Sequence, residues 1–201
     1  MPHPVVFRPR GGVVLAVLAL VLCVAVIVSI TMTDGVPGLL AWGWPVLAFA
    51  WLVWLVYIRP SVTITDDFVE IRNIVRTHRV PWGDIESVDS RFALTVRTRD
   101  GKAIRAWAAP APGARQALST RREEVARTPG DGQTRRPSDA EGTDSGDATA
   151  LVRRAFERYR REGGRQLPGG TRSEWAWVHA AVTAALVVAA LASLAGAAAH
   201  G

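Results

Sequence analysis

The sequence predicts two kinds of structure in one chain of 201 residues: transmembrane α-helices and a small α+β domain. Three observations predict this fold class. Long uncharged apolar stretches lie near both ends of the chain, short runs of alternating apolar and polar residues occupy the middle, and one amphipathic segment follows them. The expected order is a transmembrane α-helical hairpin, an antiparallel β-barrel or sandwich capped by one C-terminal helix, and a C-terminal transmembrane helix.

The N-terminal apolar region contains two stretches, 13–31 and 38–58, neither of which has a Lys, Arg, Asp or Glu. About 20 helical residues cross a hydrocarbon core of about 30 Å, so each stretch is long enough to span a bilayer. The sequence Asp34-Gly35-Val36-Pro37 between them predicts a tight turn, and hence a two-helix hairpin over 12–58. A cleaved signal peptide is the alternative, but the first apolar stretch is longer than a usual signal core. Trp51 and Trp54 lie deep in the second stretch and are expected to pack against the first.

The middle of the chain predicts antiparallel strands. Apolar and polar residues alternate in short runs, as in Val62–Thr65, and Asp100-Gly101 is a two-residue hairpin signal. In the last run, Ile104, Ala106 and Ala108 share one face. The expected strands are 62–65, 68–72, 78–80, 85–89, 92–98 and 102–108.

A helix is predicted over 148–162, because Leu151, Val152, Ala155, Phe156 and Tyr159 fall on one face. Residues 109–147 are rich in Pro, Gly, Ser and charge, and we expect a disordered insertion there. Residues 1–11 are expected to form a basic tail and 163–176 a linker. A third apolar stretch at 177–199 predicts the C-terminal transmembrane helix.

The charge distribution predicts a location and an orientation. The net charge is +6, and basic residues flank the apolar stretches at 8–10, at 59 and at 160–172. The positive-inside rule therefore places the N-terminus and the middle domain in the cytoplasm and the C-terminus outside a plasma membrane crossed several times. Basic and aromatic residues are not interleaved as on a nucleic-acid-binding surface, so no nucleic-acid partner is expected. Cys23 is the sole cysteine, which excludes an intrachain disulfide.

The middle domain resembles a known family. Strands followed by one helix is the order of a pleckstrin-homology (PH)-like barrel. The segments Arg59-Pro60-Ser61-Val62-Thr63-Ile64-Thr65-Asp66-Asp67 and His78-Arg79-Val80-Pro81-Trp82-Gly83-Asp84-Ile85 look like the bacterial PH-domain proteins typical of actinobacteria, in which a Pro-Trp-x-x-Ile turn recurs. The resemblance covers 1–108 and the 148–162 helix, and it implies a PH-like domain beside membrane helices and no established chemistry.

Candidate site residues fall into two groups. Pro81, Trp82 and Ile85 are interpreted as structural, because Pro ends a strand and Trp can close the end of a barrel. Arg72, Arg76 and Arg79 border one strand connection and are candidates for contact with anionic lipid head groups, as in PH-like domains that bind phosphoinositides.

Enzymatic chemistry is not expected. The sequence has no nucleophile elbow, phosphate-binding loop or dinucleotide-binding glycine motif. His78 has no neighbours at metal-ligand spacing and is expected at an exposed strand position, and Asp84 is expected to cap its turn. We therefore expect no catalytic, cofactor or metal site.

Three hypotheses about function follow. The domain holds an unknown membrane or cytoplasmic protein at the bilayer through an exposed sheet edge; it senses anionic lipid; or the chain is an accessory subunit of a transport or envelope-assembly complex. The first is preferred.

Overall fold

A computed structural model describes residues 4–89, 93–110, 144–163 and 170–200 of the chain. The chain divides into two compact units. The first, here the β-domain, comprises residues up to Pro9 together with Pro60–Glu174. The second, here the helical unit, comprises Arg10–Arg59 and Trp175–Gly201. The predicted fold class is confirmed.

The larger sheet of the β-domain has five strands in the order β1-β2-β3-β4-β8. Strands β1 to β4 pair antiparallel with their neighbours, with Val62 opposite Ile71 and Val69 opposite Val80, so that apolar side chains line one face. The strands are β1 (Val5–Phe7), β2 (Ser61–Ile64), β3 (Phe68–Arg72), β4 (Arg76–Pro81) and β8 (Arg172–Trp175).

The smaller sheet has three antiparallel strands, β5 (Ile85–Asp89), β6 (Ala93–Thr98) and β7 (Ala103–Pro110). The hairpin predicted at Asp100-Gly101 joins β6 and β7, but its loop, counted between the hydrogen-bonded Thr98 and Lys102, has three residues (99–101) rather than two. The amide of Thr98 donates to the carbonyl of Lys102, and Gly101 adopts φ 82°. Three-residue hairpin loops usually consist of a turn followed by a glycine in the left-handed conformation. The dipeptide Asp-Gly therefore fits a three-residue loop as well as a two-residue one.

Helix α2 (Asp144–Arg161) completes the β-domain. Its apolar face is the predicted one: Val152 is fully buried, and Leu151, Ala155, Phe156 and Tyr159 pack against the core. The core draws on both sheets and on α2, and its largest side chain is Trp82. The predicted alternation in β7 is confirmed, with Ile104, Ala106 and Ala108 buried.

Two strands lie where no strand was predicted. Val5–Phe7, within the expected basic tail, pairs with β2, and Arg172–Trp175, within the expected linker, pairs beside β4. A three-residue run and a polar run carry no periodicity, so these strands exist only because a sheet edge is available to pair with. Of the predicted insertion, residues 111–143 lie outside the described residues, as do 164–169 of the predicted linker.

Helix α1 (Arg10–Val53) continues as a π-helical turn at Trp54–Ile58, and its backbone breaks at Gly35, with φ 61° and ψ −149°. A Cβ atom placed on Gly43 would lie 4.0 Å from Cδ1 of Ile27. Sixteen residues of straight helix are about 24 Å long, so the two halves of α1 fold back on each other at Gly35. The predicted hairpin is therefore present, with its reversal at the predicted turn.

Helix α3 (Trp177–His200) packs against α1. Trp51 Nε1 donates to Thr183 Oγ1 at 2.9 Å, and the rings of Trp51 and Trp54 stack on His179 with centroids 6.0 and 5.8 Å away. The two tryptophans thus contact the C-terminal helix, whereas the first apolar stretch was the expected partner. Both α1 and α3 are long and apolar enough to cross a membrane.

Candidate binding surface

The three arginines proposed as a site lie on β3, on β4 and at the start of β4, but two of them already share a carboxylate. Glu70 lies opposite Arg79 in the β3–β4 register, and Arg72 follows Glu70 by two residues, so all three side chains share one face. Arg72 Nε lies 2.6 Å from Glu70 Oε1, and Arg79 Nε lies 2.7 Å from Glu70 Oε2. Glu70 is therefore the centre of this group.

Burial and charge act in opposite directions on Glu70. Its side chain is only 5% exposed, and burial raises the pKa of the carboxyl. Hydrogen bonds and charge from Arg79 and Arg72 outweigh burial, and the net pKa lies below the ordinary value. The hydrogen bond to Glu70 correspondingly raises the pKa of Arg79, whose guanidinium also lies 5.4 Å from the Phe68 ring centroid. The cluster carries one net positive charge rather than two.

Arg76 lies apart from this cluster, in a neighbourhood that contains exposed apolar side chains. Asn73 joins the β3–β4 connection to β7: its Nδ2 donates to the carbonyl of Arg105 at 2.8 Å, and its Oδ1 accepts from the amide of Trp107 at 2.8 Å. Val75 and Trp107 are 53% and 55% exposed, and the side chains of Arg76 and Arg105 are exposed as well. The structure therefore brings Arg76 near a tryptophan that the sequence analysis had not connected with it.

The Pro-Trp turn has a structural position. Pro81 ends β4, Trp82 is 1% exposed, and Ile85 begins β5 fully inside the core. Trp82 Nε1 donates to the carbonyl of Thr65 at 3.0 Å, and its ring stacks on Phe156 of α2 at 6.4 Å. Burial of this indole removes a large apolar area from water and stabilises the domain, and the hydrogen-bonded N–H leaves no donor unpaired.

Asp84 does not cap the turn with its side chain as expected. Its Oδ2 instead accepts a hydrogen bond from Thr171 Oγ1 at 3.1 Å, while its backbone carbonyl accepts from the Arg99 amide. Asp84 and Thr171 are 87 residues apart, so no local pattern could predict this pair. The carboxylate fastens the segment that leads into β8.

His78 is half-buried rather than exposed, because β8 lies beside it. Nδ1 of His78 is 2.7 Å from Ser173 Oγ, and burial and the charge of Arg76 lower the pKa of the imidazole. Sequence reasoning missed Thr171, Ser173 and Glu174 as contact residues. The stretch around them is polar, and only its position beside β4 gives it structure.

A shallow open cleft of about 380 Å³ adjoins the same segment. It is lined by Asp84, Arg99, Asp100, Gly170 and Thr171. Hydrogen bonds from Lys102 and Thr98 lower the pKa of Asp100 to about 2, so this carboxylate stays charged and paired. Within the described ranges, no group of three or more His, Cys, Asp or Glu side chains is placed to hold a metal ion.

Comparison with known proteins agrees with this architecture. The bacterial PH domain model matches residues 59–161, slightly more than half of the chain, from the start of β2 to the end of α2. Among curated proteins and solved structures, nothing matches. The predicted resemblance is confirmed, and the chain belongs to the bacterial PH domain family.

Proposed function

We propose that this protein is a multi-pass membrane protein whose β-domain is a non-catalytic docking module for a partner protein at the cytoplasmic face of the plasma membrane. The observation that carries the proposal is the union, in one chain, of a fully packed PH domain with helices long and apolar enough to cross a bilayer. Domains of this kind generally bind rather than catalyse.

The helical unit supports the membrane assignment because its apolar side chains point outward. In the most apolar 18-residue segment of α1, only 11% of the residues are buried, and in the corresponding segment of α3 none is buried. A core helix of a water-soluble domain would be mostly buried, and soluble proteins rarely expose apolar patches of more than a few hundred Å². Lipid is the surrounding that makes this exposure favourable.

The proposed orientation follows from the basic flanks of the apolar segments. Topology can be read by single-cysteine labelling on a Cys23→Ser background in intact cells. A membrane-impermeant maleimide should leave Glu162→Cys in the β-domain unlabelled until the cells are opened. Labelling of this position in intact cells would overturn the cytoplasmic assignment.

Docking is testable by site-specific photo-crosslinking in living cells. A crosslinking amino acid is placed singly at three exposed positions of the β-domain, Arg172 on β8, Arg158 on α2 and Ser87 on β5, with Leu22 in α1 as the control that faces outward from the helical unit. A reproducible protein adduct at one or more domain positions, absent at Leu22, supports the module. If no domain position gives a reproducible adduct, the docking proposal fails.

A second candidate, contact with anionic lipid, is favoured by the exposed apolar and basic residues beside Asn73. Trp and Arg together suit the bilayer interface, and a tethered domain meets that surface at high effective concentration. Arg76 and Arg105 are the candidates here, because both are exposed on the two segments that Asn73 joins.

The lipid candidate is tested with full-length protein in nanodiscs, carrying a polarity-sensitive dye on Val75→Cys in the Cys23→Ser background. Emission should shift to the blue in anionic nanodiscs and not in neutral ones, and Arg76→Glu should reduce the shift. Identical spectra in both lipids would eliminate this candidate.

A further inference from the structure

Strand β8 contributes no residue to the core of the β-domain, and its Trp175 stacks instead on Trp177 at the start of α3, with ring centroids 5.5 Å apart. All four of its residues are exposed, whereas β1, at the opposite edge, packs Phe7 against the core. Hydrophobic burial therefore contributes little to keeping β8 in place, and its attachment depends on polar contacts and on backbone pairing with β4.

Among the contacts described, two side-chain hydrogen bonds link this segment to the domain. Thr171 Oγ1 donates to Asp84 Oδ2 at 3.1 Å, and Ser173 Oγ lies 2.7 Å from His78 Nδ1. Beside the larger effect of Glu70, the charge of Glu174 also raises the pKa of Arg79. Surface hydrogen bonds and exposed charge pairs contribute little to stability, since water competes for the same groups. A segment held in this way can separate from its sheet without opening the core.

Strand β4, the neighbour of β8 in the sheet, is well anchored in the domain. Val80 of β4 is fully buried, and β4 pairs with β3 along five residue positions, Phe68 to Arg72. If β8 separates, β4 remains in place as an edge strand. It then presents unpaired backbone groups beside the side chains of its own His78 and Arg79. Such an edge pairs readily with another extended segment.

We propose that the edge of β4 is the docking site for an extended segment of the partner protein, and that β8 is the chain's own strand occupying this edge until a partner displaces it. The proposal rests on the docking function proposed above and names its surface. The contacts of β8 define the chemistry that the edge accepts. A partner segment supplies a hydroxyl to His78 and a carboxylate to Arg79.

Arg79 gives the edge a preference for acidic segments. It is held by Glu70, yet it still interacts favourably with Glu174, so its charge is not exhausted by the first carboxylate. A carboxylate in the place of Glu174 gains this attraction, and a lysine at the same place is repelled. The edge therefore discriminates between partner segments by charge as well as by shape.

The test uses a synthetic peptide of residues 170–175, Gly-Thr-Arg-Ser-Glu-Trp, carrying a fluorophore, and full-length protein in nanodiscs. Anisotropy titrations compare the wild type with Ser173→Pro, which removes a backbone donor from β8, and with a second variant in which 171–174 become Gly-Ser-Gly-Ser. Both variants should bind the peptide at least tenfold more tightly than the wild type does. A peptide with Lys in place of Glu should bind several-fold more weakly to both.

A matched pair of charge reversals provides the control. Glu174→Lys should loosen β8 and raise peptide affinity, whereas Glu162→Lys, an equally exposed glutamate after α2, should leave affinity unchanged. Equal peptide affinity in the wild type and in both loosened variants would overturn the proposal. If photo-crosslinks to the domain persist in that case, docking stands and only its place on the β4 edge is refuted.

Discussion

The β-domain buries its large apolar side chains, whereas the helical unit exposes similar side chains on its surface. In the β-domain, Leu94 is fully buried, while in α1, Leu22 is 63% exposed. The buried positions of the helical unit include small residues such as Ala16 and Ala48, which allow helices to approach closely. One chain thus follows two packing rules, and this difference supports the proposal that the two units meet different solvents.

The sharpest probe of this comparison is one substitution made in both units. Leu94→Ala should lower the free energy of unfolding of the β-domain by about 2–5 kcal/mol, because it removes a large side chain from a closed core. Leu22→Ala should change the free energy of unfolding of the helical unit by less than about 0.5 kcal/mol. Denaturant titration of full-length protein in nanodiscs measures both. Equal losses would contradict the inside-out arrangement.

Charge placed at two exposed positions should distinguish lipid from water. Leu22→Arg should cost about 2.5–3.5 kcal/mol of insertion free energy, since it puts a cation into the hydrocarbon region. Val75→Arg, at a similarly exposed position of the β-domain, should leave insertion and domain stability within about 0.5 kcal/mol. The fraction of protein recovered in carbonate-washed membranes provides the readout. Full integration of Leu22→Arg would show that position 22 does not face hydrocarbon.

The polar cluster of the β-domain predicts a pH dependence. The folded-state pKa of Glu70 lies below its ordinary value of 4.5, so the carboxylate contributes stability above that pH and loses it as pH falls through the folded pKa. Glu70→Gln should cost about 1 kcal/mol at pH 7, because both arginines are more than half exposed.

The cost of Glu70→Gln should diminish below about pH 4, where the wild-type carboxyl also becomes neutral. Denaturant midpoints for both proteins between pH 7 and pH 3 provide the measurement. Asp100, whose pKa is also lowered, is present in both proteins and cancels in the difference. A difference that stays constant over this range would show that the charge of Glu70 contributes nothing.

The smallest expected effect concerns the contact between α1 and α3. Thr183→Val removes the hydroxyl that accepts from Trp51 and should weaken the helical unit by about 0.6 kcal/mol, the average for an interhelical hydrogen bond in a membrane protein. Thr31→Val is the matched control, because Thr31 bonds only within its own helix in the contacts described. Unfolding in mixed micelles with increasing sodium dodecyl sulfate measures both. If both changes have the same effect, the hydrogen bond between Trp51 and Thr183 does not stabilise the helical unit.

The sequence alone was sufficient for features whose cause is local. The length of the uncharged apolar stretches predicted the helices of the helical unit, and turn-forming residues predicted the reversal at Gly35. Periodicity predicted six strands and the buried face of α2. The Pro81-Trp82 turn was correctly interpreted as structural, because a proline ends a strand and an indole fills a core wherever they occur.

Tertiary structure decided the features that depend on residues far apart in the chain. Glu70 is the shared partner of Arg72 and Arg79 because the sheet register brings them together. β8 formed from a polar stretch because the edge of β4 was available, and His179 met Trp51 only through helix packing. Local patterns report which surfaces are apolar, whereas contacts across more than about ten residues depend on how those surfaces assemble.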